Sequence, residues 1–392
     1  MNTAKLPVYL DHASTTPVDE RIAARMAEIL MSQTEFGNPA SASHDFGDAA
    51  NGLVEEARQQ VAAAVGSTAR EVIWTSGATE ANNLALFGLA QYYRERGRHI
   101  ITSRTEHKAV LDACRELERR GWTVSYLNPD RDGLLDAEQI AGALRADTVL
   151  VSIMHVNNEL GVVQNIAAIS AVCRGHGGAW LHVDAAQSVG KCPVDFTNLG
   201  IDLMSLSAHK VYGPKGVGAL VVAPRVHLTP LQFGGAQERA LRAGTVATHQ
   251  VVGMGLAFKL ASTMTSTETV RIAQLQRRLW GGLARIGGVL RNGSVTHSVP
   301  HLLNVSFEGV EGESLVAAVR PHLAVSTGSA CTSALAEPSY VLRALGRSDR
   351  LSESSLRFGL GRPTREEDID AALEILSRQV ARLRRIAGLA TA

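Results

Sequence analysis

The sequence predicts an α/β fold with a mainly parallel sheet, followed by a smaller α+β domain towards the C-terminus. Three observations predict it. Between residues 71 and 183 short apolar runs alternate with helical stretches. Several of those runs are continuously apolar, the pattern of strands buried on both faces. After about residue 250 the alternation stops, and a long helical region leads into mixed short elements.

The elements follow in order. Thr16 as N-cap with Pro17 at the first helical position predicts a helix to about Ser32. Phe36-Gly37-Asn38-Pro39 reads as a turn, and a second helix covers roughly Ala42 to Val65, stopped by Gly66. Strands are predicted over 71–75, 99–103, 123–127, 148–156, 179–183 and 217–223. Helices are predicted over 78–96, 107–120, 136–145 and 167–176, the first two ended by Gly97 and Gly121. A long helical region then runs from about Gln250 to Ile286. Beyond it come a strand at 302–307, a helix after Gly312, a strand-like run at 323–326, a glycine-serine loop to Cys331, a helix at 338–345 and a strand at 356–360. Thr364-x-x-Glu367 reads as the capping box of a last helix reaching about Arg385. Residues 15–255 form the expected large domain, and residues 1–14 with 256–392 the smaller one.

Composition narrows the function. The 392 residues carry a formal net charge of +1, with 20% charged and 45% hydrophobic residues. That is an ordinary globular balance, and it argues against a dedicated nucleic-acid or membrane binder. No apolar run approaches the roughly 18 to 20 residues of a membrane span. The N-terminal MNTAKLPVYLDHAS has neither a signal-peptide core nor an arginine-rich transit character, so a cytoplasmic location is expected. The four cysteines, Cys114, Cys173, Cys192 and Cys331, form no C-x-x-C pair, and no metal site is expected. Gly253 and Gly255 match part of a dinucleotide fingerprint but lack its third glycine.

The chemistry centres on HVDAAQSVGKCPVDFTNLGIDLMSLSAHKVYGPKGVG, residues 182–218. A lysine amine forms a Schiff base with an aldehyde cofactor, of which pyridoxal phosphate is the commonest, and the cofactor's ring nitrogen needs an acidic partner. In that reading Lys210 is the imine former, Asp184 the partner, and Ser207 and His209 phosphate donors; the alternative is a buried Asp–Lys pair beside a surface turn. Thr75-Ser76-Gly77-Ala78-Thr79-Glu80 places a strand, a glycine turn and a helix start together, which suits phosphate as well as a plain helix cap. His107, between a strand and a helix, either packs at the strand end or stacks on a cofactor ring and moves protons. Asn158 lies just past a strand's C-terminal end, where it is a turn residue or a ligand of cofactor or substrate. Cys331 sits among Ser, Thr, Gly and Ala, a setting for an exposed nucleophilic thiol rather than a packed one. Arg357, on a strand, is a surface pairing residue or a bidentate carboxylate clamp.

These stretches resemble the cysteine desulfurases, most closely the group that supplies sulfur for iron–sulfur cluster assembly. The resemblance runs nearly end to end through YLDHASTTPVD, FGNPASASH, TSGATEANN, TEHKAVLDAC, SIMHVNNELG, HVDAAQSVGK, SAHKVYGPKGVG, RAGT, NVSFEGVEGESL, STGSACTSALAEPSYVLRALG and SLRFGLGR. It implies the type I pyridoxal-phosphate fold, like that of aspartate aminotransferase, in a homodimer. It implies that Lys210 carries pyridoxal 5'-phosphate, Asp184 pairs with its ring nitrogen and His107 stacks on the ring. Gln187 and Asn158 then lie near the ring oxygen. Ala78, Thr79, Ser207 and His209 hold the phosphate, with Thr245 reaching it across the dimer interface. Arg357 and Asn158 hold the carboxylate of L-cysteine, Lys210 and His107 move protons, and Cys331 takes the sulfur as a persulfide while alanine leaves. An acceptor protein, an iron–sulfur scaffold or another carrier, then receives the sulfur.

The sequence departs from that group in three places, one of them the segment from Leu220 to Gly234, which is shorter and less basic than in the housekeeping members. Ala236 and Gln237 stand where close relatives often have glycine and histidine, which implies an altered active-site wall. The resemblance also ends soon after Ile386, before the tail with which housekeeping members contact a scaffold, which implies another acceptor or a different docking mode. Two other readings stand beside this one: a different reaction on the same fold, such as selenocysteine lyase or an aminotransferase, and an inactive assembly partner. Cys331 argues against the aminotransferase, and the presence of Lys210, Asp184 and Cys331 together argues against the inactive partner.

Overall fold

The computed structural model describes residues 6–327 and 338–388. The chain enters through β1 (Val8–Tyr9), α1 (Glu20–Met31) and α2 (Asp45–Ala64). Strands and helices then alternate through β2 (Val72–Thr75), α3 (Ala78–Tyr93), β3 (His99–Ser103), α4 (Lys108–Arg119), β4 (Thr123–Leu127), α5 (Ala137–Ala143), β5 (Thr148–Met154), α6 (Ile166–His176) and β6 (Trp180–Asp184). Next come β7 (Leu203–Ser207) and β8 (Gly218–Val222).

Seven of these strands form one sheet in the order β2-β8-β7-β6-β5-β3-β4. Only β8 runs against its neighbours, so β2 points the same way as the parallel strands. Every residue of β2, β3, β5, β7 and β8 is buried, which requires a layer on each face of the sheet. The helices supply those layers. Val110, Cys114 and Leu117 make one apolar stripe on α4, and Ile166, Ile169 and Cys173 one on α6, at the helical period.

A single helix, α7 (Thr248–Ala284), packs on α1 and α2 through its first half. Its second half puts Ile272, Leu275, Leu279 and Leu283 into another apolar cluster. That cluster is built with β9 (Val289–Asn292), β10 (Leu302–Phe307), α8 (Gly312–Val319), β11 (Leu323–Ala324), β12 (Ser355–Gly359) and α11 (Glu366–Ile386), while α9 (Tyr340–Ala344) packs its Val341 and Leu342 on Leu160 and Val162 and α10 (Asp349–Glu353) lies against β10 and α8. β9, β10 and β12 form an antiparallel sheet in the order β12-β10-β9. β1 pairs in parallel with β11, so the first residues of the chain join elements more than 300 positions away.

Two caps differ from expectation. Thr16 and Pro17 precede α1, which begins at Glu20 behind Asp19 as N-cap. The Thr16 hydroxyl is engaged elsewhere, donating to the His209 carbonyl at 3.0 Å and accepting from the Tyr212 N–H at 2.8 Å. At α11 the reciprocal bond comes from Asp368, which accepts from the Arg365 N–H at 2.9 Å, while the Thr364 hydroxyl accepts from the Gly361 N–H. Strand β7 was not singled out by pattern because serines interrupt it. The structure buries them by pairing, as where Ser205 meets His182 Nε2 at 3.0 Å.

Candidate functional site

Parallel strands deliver their C-terminal ends to one edge of a sheet, and the loops beyond them collect functional groups. Here Asp184 ends β6, Ser207 ends β7, and His107 N-caps α4 just after β3. Asn158 follows β5, and Ala78 and Thr79 open α3 after β2. The fold therefore brings these predicted residues to one edge.

The turn between β2 and α3 is shaped for an anion. Its N-cap, Gly77, has φ 154° and no side chain to bond the first-turn N–H groups. Those N–H groups and the positive end of the helix dipole suit a phosphate. The turn is held from several sides. Thr75 Oγ1 donates to the Gly77 carbonyl at 3.0 Å, and the Ser76 N–H donates to Glu80 at 2.7 Å. Glu80 is fixed by Arg242 at 2.9 Å. Across the sheet, Gly218 of β8 approaches so closely that an added Cβ would lie 2.6 Å from Gly77 Cα.

Asp184 is buried and held in place: Oδ2 accepts from Asn82 Nδ2 at 2.8 Å and Oδ1 from the Ala186 N–H at 3.0 Å. His107 Nδ1 accepts from the Ala109 N–H at 3.1 Å, which leaves the ring proton on Nε2. Burial, and then the nearby Lys210 charge, lower the His107 pKa and favour that neutral form. His209 is brought down to about 4 by burial first and by Lys210 next, and its Nδ1 lies 3.1 Å from Thr15 Oγ1. Gln187 donates from Nε2 to the Ala13 carbonyl at 2.8 Å and accepts at Oε1 from Lys191.

Arg357 is buried on β12 and faces the same loops. Nη1 donates to the Asn158 carbonyl at 2.8 Å, and Nη2 to Asp11 at 3.0 Å and Ser14 at 2.6 Å. Its Nε and the Asn158 Oδ1 are buried without a hydrogen-bond partner among the described residues. Two such atoms on adjoining residues mark a place where a ligand's polar groups complete the bonding. With the uncapped α3 N-terminus, the anchored Asp184 and the lysine at 210, the donor set fits pyridoxal phosphate.

Two predicted residues stand apart from this group. Thr245 sits in an exposed loop before α7, next to Gly244, whose N–H donates to Gln237 at 3.2 Å. Cys331 lies outside the described residues. The structure adds residues that the sequence reading passed over. Asn82 fixes Asp184, Lys191 fixes Gln187, and Asp11 and Ser14 engage Arg357. Glu106, fully buried, accepts from the Met154 N–H at 2.8 Å, and burial raises its pKa well above the ordinary carboxyl range. Asn82 carried a legible signal, an asparagine inside the apolar run AlaAsnAsnLeuAlaLeu of α3. Asp11 and Ser14 carried none.

Comparison with known proteins covers the whole of this arrangement. The aminotransferase class-V family profile matches residues 8–372. The chain is 55% identical over 387 residues to the cysteine desulfurase IscS of Proteus mirabilis (strain HI4320), covering 98% of this chain and 95% of that one. It is 54% identical, with the same coverage, to the cysteine desulfurase IscS of Escherichia coli (strain K12 / DH10B). Among solved structures, a NifS-like protein superposes with a TM-score of 0.90 at 34% identity, over 96% of this chain and 100% of its own. SspA in complex with cysteine gives a TM-score of 0.79 at 37% identity, over 90% and 98% of the two chains.

Proposed function

Since the chain belongs to the aminotransferase class-V family and is a pyridoxal-phosphate-dependent cysteine desulfurase, we propose that Lys210 carries the cofactor and Cys331 takes the sulfur. Bound pyridoxal phosphate supplies an aldehyde for an amine and a ring that withdraws electrons from the substrate's Cα. The first turn of α3, at Ala78 and Thr79, grips the phosphate together with Ser207 and His209. Asp184, kept in place by Asn82 and the Ala186 N–H, presents its carboxylate to the ring nitrogen. His107, neutral with its proton on Nε2, stacks on the ring and moves protons with Lys210. Gln187 and Asn158 serve the ring oxygen.

Arg357 and Asn158 hold the carboxylate of L-cysteine, with Arg357 oriented by Asp11 and Ser14. The Cys331 thiolate attacks the substrate's sulfur. An S–S bond forms as the substrate's C–S bond breaks, and the carbon is protonated, leaving a persulfide on Cys331 and alanine. A second copy of the chain brings Thr245 to the phosphate, and an acceptor protein, an iron–sulfur scaffold or another carrier, removes the sulfur in the cytoplasm. Among the described residues, no helix is long and apolar enough to cross a membrane. The same reading divides the chain into a cofactor domain, residues 15–255, and a second domain of residues 1–14 and 256–392; two main apolar clusters support a division, with Ala257, Phe258 and Ala261 still packed in the first.

The observation that supports this assignment most is the convergence of an uncapped helix N-terminus, the anchored Asp184 and the neutral His107 at the edge that also carries Lys210. Two variants test it. Lys210→Ala should lose the visible band of the cofactor-bound protein. Cys331→Ala should keep that band and stop alanine production and sulfide release. A Cys331→Ala protein that turns over L-cysteine at the wild-type rate refutes the nucleophile assignment.

A further inference from the structure

The chemistry above leaves a buried amine unused. Lys191 follows Gln187 by four residues in the turns after β6 and is only 7% exposed. Its Nζ donates to Gln187 Oε1. A primary amide has one oxygen and two N–H donors. With Oε1 taken by Lys191 and one N–H given to Ala13, Gln187 keeps a single free side-chain donor, and its two ends cannot be exchanged.

Among the described residues, no carboxylate pairs with Lys191. Lys210, Cys192 and Arg357 act on it electrostatically, and it acts in turn on His12, His209 and His301. On its other side it shares with Lys210 a cavity of ≈ 10 Å³, lined also by His12, His301, Tyr212 and Arg362. Among the described residues, His12 and His301 each bury an Nδ1 without a partner, and burial holds both rings neutral, at about 4 and about 3. Glu268, the carboxylate lining this cavity, is paired with Arg362, which Asp19 also holds. Arg362 in turn lies over the Tyr212 ring at 4.1 Å. Tyr212 is itself kept protonated by burial, its pKa raised to about 12.

We propose that Lys191 is a positioning residue for the cofactor: it locks the Gln187 amide so that one N–H is presented to the ring oxygen, and its ammonium opposes a proton on the neighbouring Lys210 nitrogen. The proposal rests on Lys210 as the cofactor-bearing lysine. A lysine buried without a counter-ion gives up its proton readily. Burial first, and Lys210 next, bring Lys191 down to about 7, so this second charge appears and disappears across neutral pH.

Two substitutions separate the two roles. Lys191→Met removes the donor and the charge, while Lys191→Gln keeps a donor and removes the charge. The readouts are the cofactor dissociation constant of the apo protein and the pH midpoint of the visible band after loading. Loss of a neighbouring cation favours the protonated nitrogen, so both variants should raise the midpoint by roughly half a unit to one unit. Lys191→Met alone should also weaken cofactor binding, by roughly three- to tenfold, the net worth of one hydrogen bond. Wild-type midpoints in both variants, or equal cofactor affinity for the two, would overturn the proposal. Should Lys191→Met not fold, Lys191→Gln still decides the charge role through its midpoint. A Lys210→Ala protein that keeps the visible band would instead overturn the Lys210 assignment, and the two failures are thereby told apart.

Discussion

Replacing Gly218 by alanine should cost the enzyme its grip on the cofactor's phosphate. Gly218 opens β8 and pairs with Thr75 on one side and Ser207 on the other. A Cβ there would lie 2.5 Å from the Leu206 carbonyl oxygen, 2.6 Å from Gly77 Cα and 2.7 Å from the Gly77 carbonyl carbon. Non-bonded carbons settle at roughly 3.5 to 4.0 Å. All three neighbours are backbone atoms, so no side-chain rotation relieves the clash, and Gly77 must retreat by about 1 Å. Gly77 is the N-cap of α3, and its retreat carries the first-turn N–H groups with it. Overpacking of this kind costs about 1–3 kcal/mol. If the strain falls on phosphate binding, the dissociation constant rises by roughly 5- to 150-fold. The assay is titration of apo protein with pyridoxal phosphate, followed by the visible band. Gly142→Ala is the control. It lies in α5, nothing stands within 4 Å of its added Cβ, and the change should leave binding untouched. A Gly218→Ala protein that binds the cofactor within about twofold of wild type would refute the inference that β8 sets the phosphate turn.

Other substitutions probe the frame around the site. Glu238 is buried with φ 48°, and its carboxylate accepts from Arg58 at 2.8 and 2.9 Å and from the Trp74 N–H at 2.8 Å. Arg58 also keeps Glu55 at 3.0 Å and the Val72 carbonyl at 2.9 Å, so Glu238→Gln, which removes the opposing charge, should cost about 1.5–3 kcal/mol in denaturant unfolding, with Arg58→Met in the same chain restoring part of it; a loss under about 1 kcal/mol would show that the pair is not the clamp it resembles. Burial raises Glu159 from the ordinary 4.5 to about 7, against a bond from the Ser339 hydroxyl at 2.6 Å. The folded chain then holds a proton that the unfolded chain releases, so this group's stabilisation is full below about pH 4.5 and is lost as pH rises to about 7. Glu159→Gln should remove that slope and gain about 3 kcal/mol over wild type at pH 8, and matching unfolding curves at that pH would count against it. Asn82→Leu withdraws one of the two anchors of Asp184 and should weaken cofactor binding roughly tenfold, which an unchanged titration would contradict.

Much of the site was legible because its residues lie at element ends. Asp184 closes an apolar strand, His107 separates a strand from a helix, and Gly77 breaks one from the other. Local signals of that kind need only a few neighbouring residues. Arg357 shows where they stop. Sequence offered a carboxylate clamp or a surface pairing residue, and its burial against Asn158, Ser14 and Asp11 appears only once the chain has folded.

The sequence by itself determined the alternation of strands and helices, the continuously apolar sheet, the long helix beyond residue 250 and the residues at the sheet's C-terminal edge. Periodicity, caps and glycine turns are short-range, so they survive without the rest of the chain. Only the tertiary structure decided that β8 enters the sheet against its neighbours, and that β1 joins β11. It also decided that Asp11 reaches Arg357 across 346 positions, and that Asn82 meets Asp184 across 102. These outcomes depend on which buried polar groups find partners and which apolar faces meet. Folding settles both by long-range pairing that no window of sequence contains.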